Sequence, residues 1–397
     1  MSHQTPLPSR EEDRPAEARG LFERPRKRPG AGHSWLWICL GAGTFILHLL
    51  IGRDSGIVER VYSRGIFVGW RSIWDITLGR SPVPLLYISV PAAIFRAVWL
   101  AARPNSPRRP RTARSTWARI KGGCLIAAGW TGIAAFSFYA LWGFNYNRIG
   151  VEKQLRLEAA SLDLAGIRSE AVWTARMLGE TRAMIPGATR EALGPAVLPS
   201  GLEAAVRSCL SRVLAKAGYP SPGRARVRTI WPGGLMMRFS GTGIYLPWLG
   251  EGYVAGNLMP SEKPFVVAHE MVHAFGLTDE GAANFLGFLA CEASGNPAIR
   301  YSGLLSYWSY VFAELVRGSR DEAGEIGKRL PEGVKADLRA ARENWDRYRG
   351  PLRAAARVFY EGYLRTQGVR EGMKSYDRFV SLVAAWRREG RGEEKSP

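Results

Sequence analysis

Two histidines four residues apart flank a glutamate in the run His269-Glu270-Met271-Val272-His273. On a helix, positions i and i+4 project from the same face, so both imidazoles can reach one ion. In this HExxH spacing the glutamate beside the first histidine is not a ligand. It contacts a metal-bound water and acts as general base. Zinc lowers the pKa of such a water to about 7, which makes it a nucleophile toward a carbonyl. The expected chemistry is hydrolysis, with Glu270 as catalytic base and one Zn2+ per chain. A plainer alternative is a pair of solvated histidines on a surface helix. The surrounding Phe265, Val266, Val267, Met271, Val272 and Phe275 predict a partly buried helix instead. The chain holds only five histidines, and two of them fall in this pattern. Pro264 suits the first turn of that helix, and Gly276 is placed to end it.

Catalytic zinc takes three protein ligands and keeps one open position. The acids that follow His273 are Asp279, Glu280 and Glu292. Asp279 stands where the HExxHxxGxxH pattern of metzincins places its third histidine. Glu280 opens a second helical pattern, with Asn284 one turn later. In a glutamate-type site the helix after the motif supplies the third ligand, and the polar residue one turn on supports a zinc histidine. Glu280 is preferred to Asp279, and Asp279 to Glu292. An acid left out of the site would cap a helix or face solvent.

Other residues near the motif have weaker claims. Tyr301 is a possible transition-state stabiliser, donating to the oxyanion of a tetrahedral intermediate. A core tyrosine is its plainer reading. Tyr376 has the same status, and Arg300 offers a cation for a substrate carboxylate. The segment Gly243–Glu251 reads as a short edge strand beside a cleft, where an extended peptide could pair by its main chain.

The elements that must position these residues fall into two kinds. Residues 1–33 are polar and rich in Pro, Arg and Glu, a composition that predicts a disordered basic tail on the cytoplasmic side. Residues 34–145 carry three apolar runs, Trp35–Ile51, Pro82–Ala102 and Gly122–Phe144, which predict three transmembrane helices. Arg24, Arg26, Lys27 and Arg28 precede the first run. Seven cations between Arg103 and Lys121 separate the second from the third. The positive-inside rule places both groups in the cytoplasm. Gly52–Ser81 is then outside, although it carries arginines too, and so is everything after Tyr146. Residues 146–390 read as an extracytoplasmic domain, and 391–397 as a charged tail. In that domain Glu152–Ile185 predicts one or two helices, and Leu202–Ala217 an amphipathic helix stopped by Gly218. Arg224–Asn257 predicts a small antiparallel sheet. Helices follow to Arg388. The fold class is α+β, mainly α, with a zincin-like soluble domain.

The chain has 397 residues and a formal charge of +20. Its cations cluster beside the apolar runs, and no zinc-knuckle, homeodomain or RNP-type pattern occurs, so the lipid bilayer is the expected partner and nucleic acid is not. The four cysteines, Cys39, Cys124, Cys209 and Cys291, form no CxxC pair. Cys39 and Cys124 are expected as buried free thiols in the apolar runs. A Cys209–Cys291 disulfide requires an oxidising compartment.

The chain resembles a family of bacterial membrane proteins of unknown function, DUF3810, from about Tyr62 to Ala385. The resemblance rests on YSRGIF at Tyr62–Phe67, WGFNYNR at Trp142–Arg148, GIYLPWLGE at Gly243–Glu251 and VVAHEMVHAFG through the motif. It continues in EGAANFLGFLAC at Glu280–Cys291, RYSGLLSY at Arg300–Tyr307 and SYDRFVSLV at Ser375–Val383. It implies a multi-pass protein of the bacterial cytoplasmic membrane with a zincin-like metal site. It also implies a glutamate at Glu280 and an asparagine at Asn284, with no fixed acid at Asp279. The family often has a second glutamate where this chain has Ala282. The expected activity is hydrolysis of a peptide or protein substrate. The rival expectation is a non-catalytic binding or assembly protein on the same scaffold.

Overall fold

The computed structural model describes residues 31–102, 116–366 and 377–390. The N-terminal tail before residue 31, most of the cationic segment after Ala102, Tyr376 and the tail from 391 lie outside the described residues. The chain is mainly helical, with one small sheet.

Two helices, Ala31–Ile51 and Thr116–Leu141, are long and apolar enough to cross a membrane, over His33–Ile51 and Ile120–Leu141. The expectation of three such helices is corrected to two among the described residues. Pro82–Pro84 stay outside the middle helix, which starts at Leu85 because its first amide is fixed by Glu251, 2.9 Å away. Its apolar part, Leu85–Trp99, rises only about 22 Å, short of a hydrocarbon core of about 30 Å.

The two long helices pack side by side and run in the same direction. Ser34 lies against Gly129, Gly41 against Gly132, and Phe45 and His48 against Tyr139. A Cβ on Gly41 would come within 2.6 Å of the Gly132 carbonyl oxygen, so the backbones meet where side chains are missing. Small residues at such a crossing allow close van der Waals packing without a hydrophobic driving force. Cys39 and Cys124, expected buried, are exposed on the outer faces of this pair.

The segment between Ile51 and Ser81 is helical and packs on the soluble body. It is π-helical over Val58–Ile66 and α-helical over Phe67–Ile76. Two of its arginines have partners on the body or in the segment itself. Arg71 donates to the Gly250 carbonyl and pairs with Asp75, and Arg64 pairs with Glu59. Arginines held in this way explain a positive segment on the same side as the body.

The sheet has strands β1 (Arg226–Ile230), β2 (Gly243–Leu246) and β3 (Glu251–Ala255), in the order β1-β3-β2. β2 and β3 are antiparallel, with Gly243 opposite Val254. β1 and β3 are parallel, with Arg226 opposite Glu251. The expected antiparallel sheet is thus a mixed one. Between β1 and β3 the chain passes through the short helix Gly233–Arg238 and β2, so β3 returns in the direction of β1. Alternation and turn residues locate strands, but pairing direction is set by this crossover.

Against the sheet lies the helix Lys263–Ala274, followed by Glu280–Glu292 and Pro297–Gly318. Met271, Val272, Phe285, Leu286, Leu304 and Val311 are fully buried among them. Each such side chain contributes roughly 1.5–3 kcal/mol on burial, which fixes the relative positions of the first two helices. Leu202–Lys216 closes the layer and ends at Gly218, whose φ is +73°. Cys209 and Cys291 are both buried free thiols.

Candidate metal centre

Pro264 occupies the first turn of the helix Lys263–Ala274, and Gly276 ends it with φ +82°. That left-handed turn suits glycine. It folds the chain back so that the Leu277 carbonyl accepts from His273 Nδ1 at 2.7 Å. Asp279 then starts the next helix. Its Oδ1 accepts from the Ala282 amide at 2.7 Å, and its other oxygen pairs with Arg378 at 2.9 Å. With Asp279 committed to capping, Glu280 on the first turn faces the histidines.

His269, His273 and Glu280 come together. Their Nε2 atoms are 3.1 Å apart, and Glu280 lies 3.2 Å from His269 Nε2 and 3.6 Å from His273 Nε2. Asn284 Oδ1 accepts from His269 Nδ1 at 2.8 Å. Both Nδ1 atoms therefore act as donors. In the neutral imidazole the opposite nitrogen carries a lone pair. With both rings in that neutral form, two Nε2 lone pairs and a carboxylate face one another.

That arrangement fits a cation. Ligand bonds of about 2.0–2.1 Å in tetrahedral geometry separate ligand atoms by roughly 3.3 Å, and the three measured separations bracket this value. All three donors lie within 4.8 Å of one another. Hydrogen bonds from the remote ring nitrogens to Asn284 and Leu277 fix the tautomers such a site requires. His269 is the least covered of the three, so the centre opens on its side.

Glu270, on the same helix, is buried against β2 and β3. A Cβ on Gly243 would collide with its carboxylate, and one on Gly252 would approach its Cβ. Glycine at position 243 is what leaves room for the acid. Burial pushes the Glu270 carboxyl up to about 7, and Glu280 adds to the shift while the histidines oppose it. Burial alone would raise Glu280 as well. His273 and His269 outweigh it and hold that carboxyl well below its ordinary range.

The remaining candidates are placed elsewhere. Tyr301 is fully buried and donates to Asp337 Oδ2 at 2.7 Å. The same carboxylate accepts from Arg182 and from the Leu193 amide. Its hydroxyl is tied into this network rather than to the histidines. Arg300 pairs with Glu292 at 3.4 Å, at the far end of the second helix.

Two residues near the centre were not read as site residues from the sequence. Tyr310 bonds to Asn284 and feels the charge of Glu280, and burial raises its pKa. Trp142 follows the second long helix. Its Nε1 donates to the His273 carbonyl at 3.0 Å, and its ring meets the His273 ring edge-on at 6.1 Å. The resemblance at WGFNYNR marked that segment without placing it at the metal helix. Arg148 from the same stretch donates to the Gly276 carbonyl at 3.0 Å.

Residues 62–384 match the model of a family described as protein of unknown function (DUF3810). The chain belongs to this family. The DUF3810 match takes in the three clustered donors, Glu270, Asn284, the whole sheet and the Trp142–Arg148 segment. It begins after the first long helix. No curated protein and no solved structure matches the chain. In this DUF3810 member the three-donor cluster forms without any contribution from Ala282.

Proposed function

We propose that this chain is a membrane-anchored zinc metallopeptidase, with His269, His273 and Glu280 holding one zinc ion and Glu270 as general base. The supporting observation is the convergence of three lone-pair donors at tetrahedral spacing, beside a buried carboxylate. Zinc, when bound, supplies Lewis acidity and an activated water. The protein's own groups do the rest. Glu270, a buried carboxylate next to His269, is the group that would accept a proton and pass it to a leaving amine. Asn284 and the Leu277 carbonyl orient the two imidazoles. Gly243 and Gly252 enclose Glu270 and limit its access to water.

The membrane reading rests on the two apolar helices and their direction. Both end at the soluble body, His48 against Asn147 and Trp142 against His273. In the sequence, Arg24–Arg28 precede the first apolar helix and the cations from Arg103 to Arg119 precede the second, and the positive-inside rule makes such flanks cytoplasmic. The metal centre faces the extracytoplasmic side of the bacterial cytoplasmic membrane, and its substrate is a peptide or protein.

Elemental analysis of the purified chain, paired with hydrolysis of a fluorogenic protein substrate, tests the activity. The expected result is one zinc per chain, as in single-metal catalytic sites, with Glu270→Gln retaining zinc and losing hydrolysis. Metal-free wild-type protein overturns the proposal. Zinc without any hydrolysis leaves a binding or assembly role on the same centre.

A further inference from the structure

Trp231, Leu235 and Phe239 are spaced by four residues and are 63%, 58% and 53% exposed. Leu235 lies within the helix Gly233–Arg238, whose opposite face, Gly233 and Met237, is buried. Three large apolar groups exposed within nine residues mark an interaction surface rather than ordinary surface scatter. The position of these groups says what covers them. The Trp231 amide donates to the Tyr87 hydroxyl at 2.6 Å, and Tyr87 is in the first turn of the apolar helix Leu85–Ala102. Beyond Tyr87 that helix exposes Phe95 at 72% and Val98 at 60%. On the other side of the sheet, Trp248 in the β2–β3 turn donates to Ser137 Oγ at 2.9 Å, one turn before the end of the long helix at Leu141. The segment from Trp231 to Trp248 thus touches two apolar helices, each within about a turn of the end that meets the body.

We infer that this segment docks on the bilayer surface, with Trp231, Leu235, Phe239 and Trp248 seated among the lipid headgroups and upper acyl chains. Tryptophan and tyrosine favour that depth because one end of the ring system is apolar and the other polar. Apolar side chains on a short amphipathic face insert there to a depth of about 5–10 Å. β2 lies within the segment and its Gly243 contacts Glu270, so the docked segment holds the metal centre at the membrane surface. Polypeptide lying at that surface is then the substrate class the centre meets. The inference rests on the membrane reading above.

The test uses the full chain in vesicles of phosphatidylethanolamine and phosphatidylglycerol. An environment-sensitive fluorophore is attached to single cysteines introduced as Leu235→Cys or Phe239→Cys in a background with the four native cysteines replaced. Ile126→Cys serves as the control in the long helix, and Lys328→Cys as the control on the exposed body. Lipid carrying a nitroxide at a shallow acyl position should quench residues 235 and 239 about as strongly as residue 126, with no loss at 328. Quenching at 126 but not at 235 or 239 overturns the inference and leaves the membrane reading intact. No quenching at 126 overturns both. A second measurement needs no cysteine replacement. Brominated lipid quenches tryptophan emission, and Trp231→Phe should reduce the quenched share. An unchanged share counts against docking.

Discussion

The indole of Trp142 donates to the main-chain carbonyl of His273, so the residue just after the second long helix is bonded to a histidine of the three-donor cluster. The carbonyl also accepts from the Gly276 amide. Replacing the indole therefore removes one of two bonds and does not strand a buried acceptor. Trp142→Phe is expected to cost about 1 kcal/mol, the net worth of an ordinary hydrogen bond. The zinc stoichiometry should stay the same. Unfolding in detergent, followed with metal analysis, checks both.

Glu280 and Asp279 are adjacent in sequence and opposite in role. Glu280→Gln removes the anionic donor, and zinc should be lost or held only at high metal concentration. Asp279→Ala removes a helix cap and the ion pair with Arg378. A lost cap typically costs about 1 kcal/mol. Stability should fall while zinc content stays at the wild-type level. Zinc loss in Asp279→Ala equal to that in Glu280→Gln would contradict the assignment.

This contrast marks what could be read in advance. The motif helix, Glu280 and Asn284 were legible because their spacing is helical and their partners lie within one helix-turn-helix. Tyr310 and Trp142 were not, because they reach the centre across long stretches of chain, and nothing in local periodicity encodes such contacts. The same holds for the sheet. The position of β1 could be read from Val227 and Ile230, but its parallel pairing with β3 depends on the path through Gly233–Arg238. The arginines of Gly52–Ser81 blurred the topology for a related reason. The partners that neutralise Arg71 structurally include a carbonyl nearly 180 residues away, at Gly250.

Asn284 fixes the ring of His269 and lies against Tyr310. Groups that orient a metal ligand typically contribute 10–100-fold to affinity. Asn284→Ala should weaken zinc binding by about that factor, read by competition with a chelator of known affinity. Tyr310→Phe leaves the His269–Asn284 bond in place and should weaken it less.

Gly243 is the place where the sheet makes room for Glu270. In Gly243→Ala the added methyl occupies the space of the carboxylate, which must shift. A Cβ at position 243 meets Glu270 and none of the three clustered donors, so the metal should be kept. Misplacing a reacting group by about 1 Å can cost on the order of 100-fold in rate. The expected outcome is a full zinc complement with hydrolysis reduced to that extent. Loss of zinc in this variant would mean that β2 supports the ligands rather than the base.

Tyr301 separates structural from chemical roles. Its hydroxyl donates to Asp337, which also holds Arg182 and the Leu193 amide. A hydrogen bond to a charged group contributes about 1.5–3 kcal/mol. Tyr301→Phe should destabilise the soluble body by that amount, because the carboxylate is buried and loses a donor. Zinc content and the rate per folded molecule should match wild type. If Tyr301 instead stabilised an oxyanion, the rate would fall with no change in unfolding. Measuring both on the same preparation distinguishes the two roles.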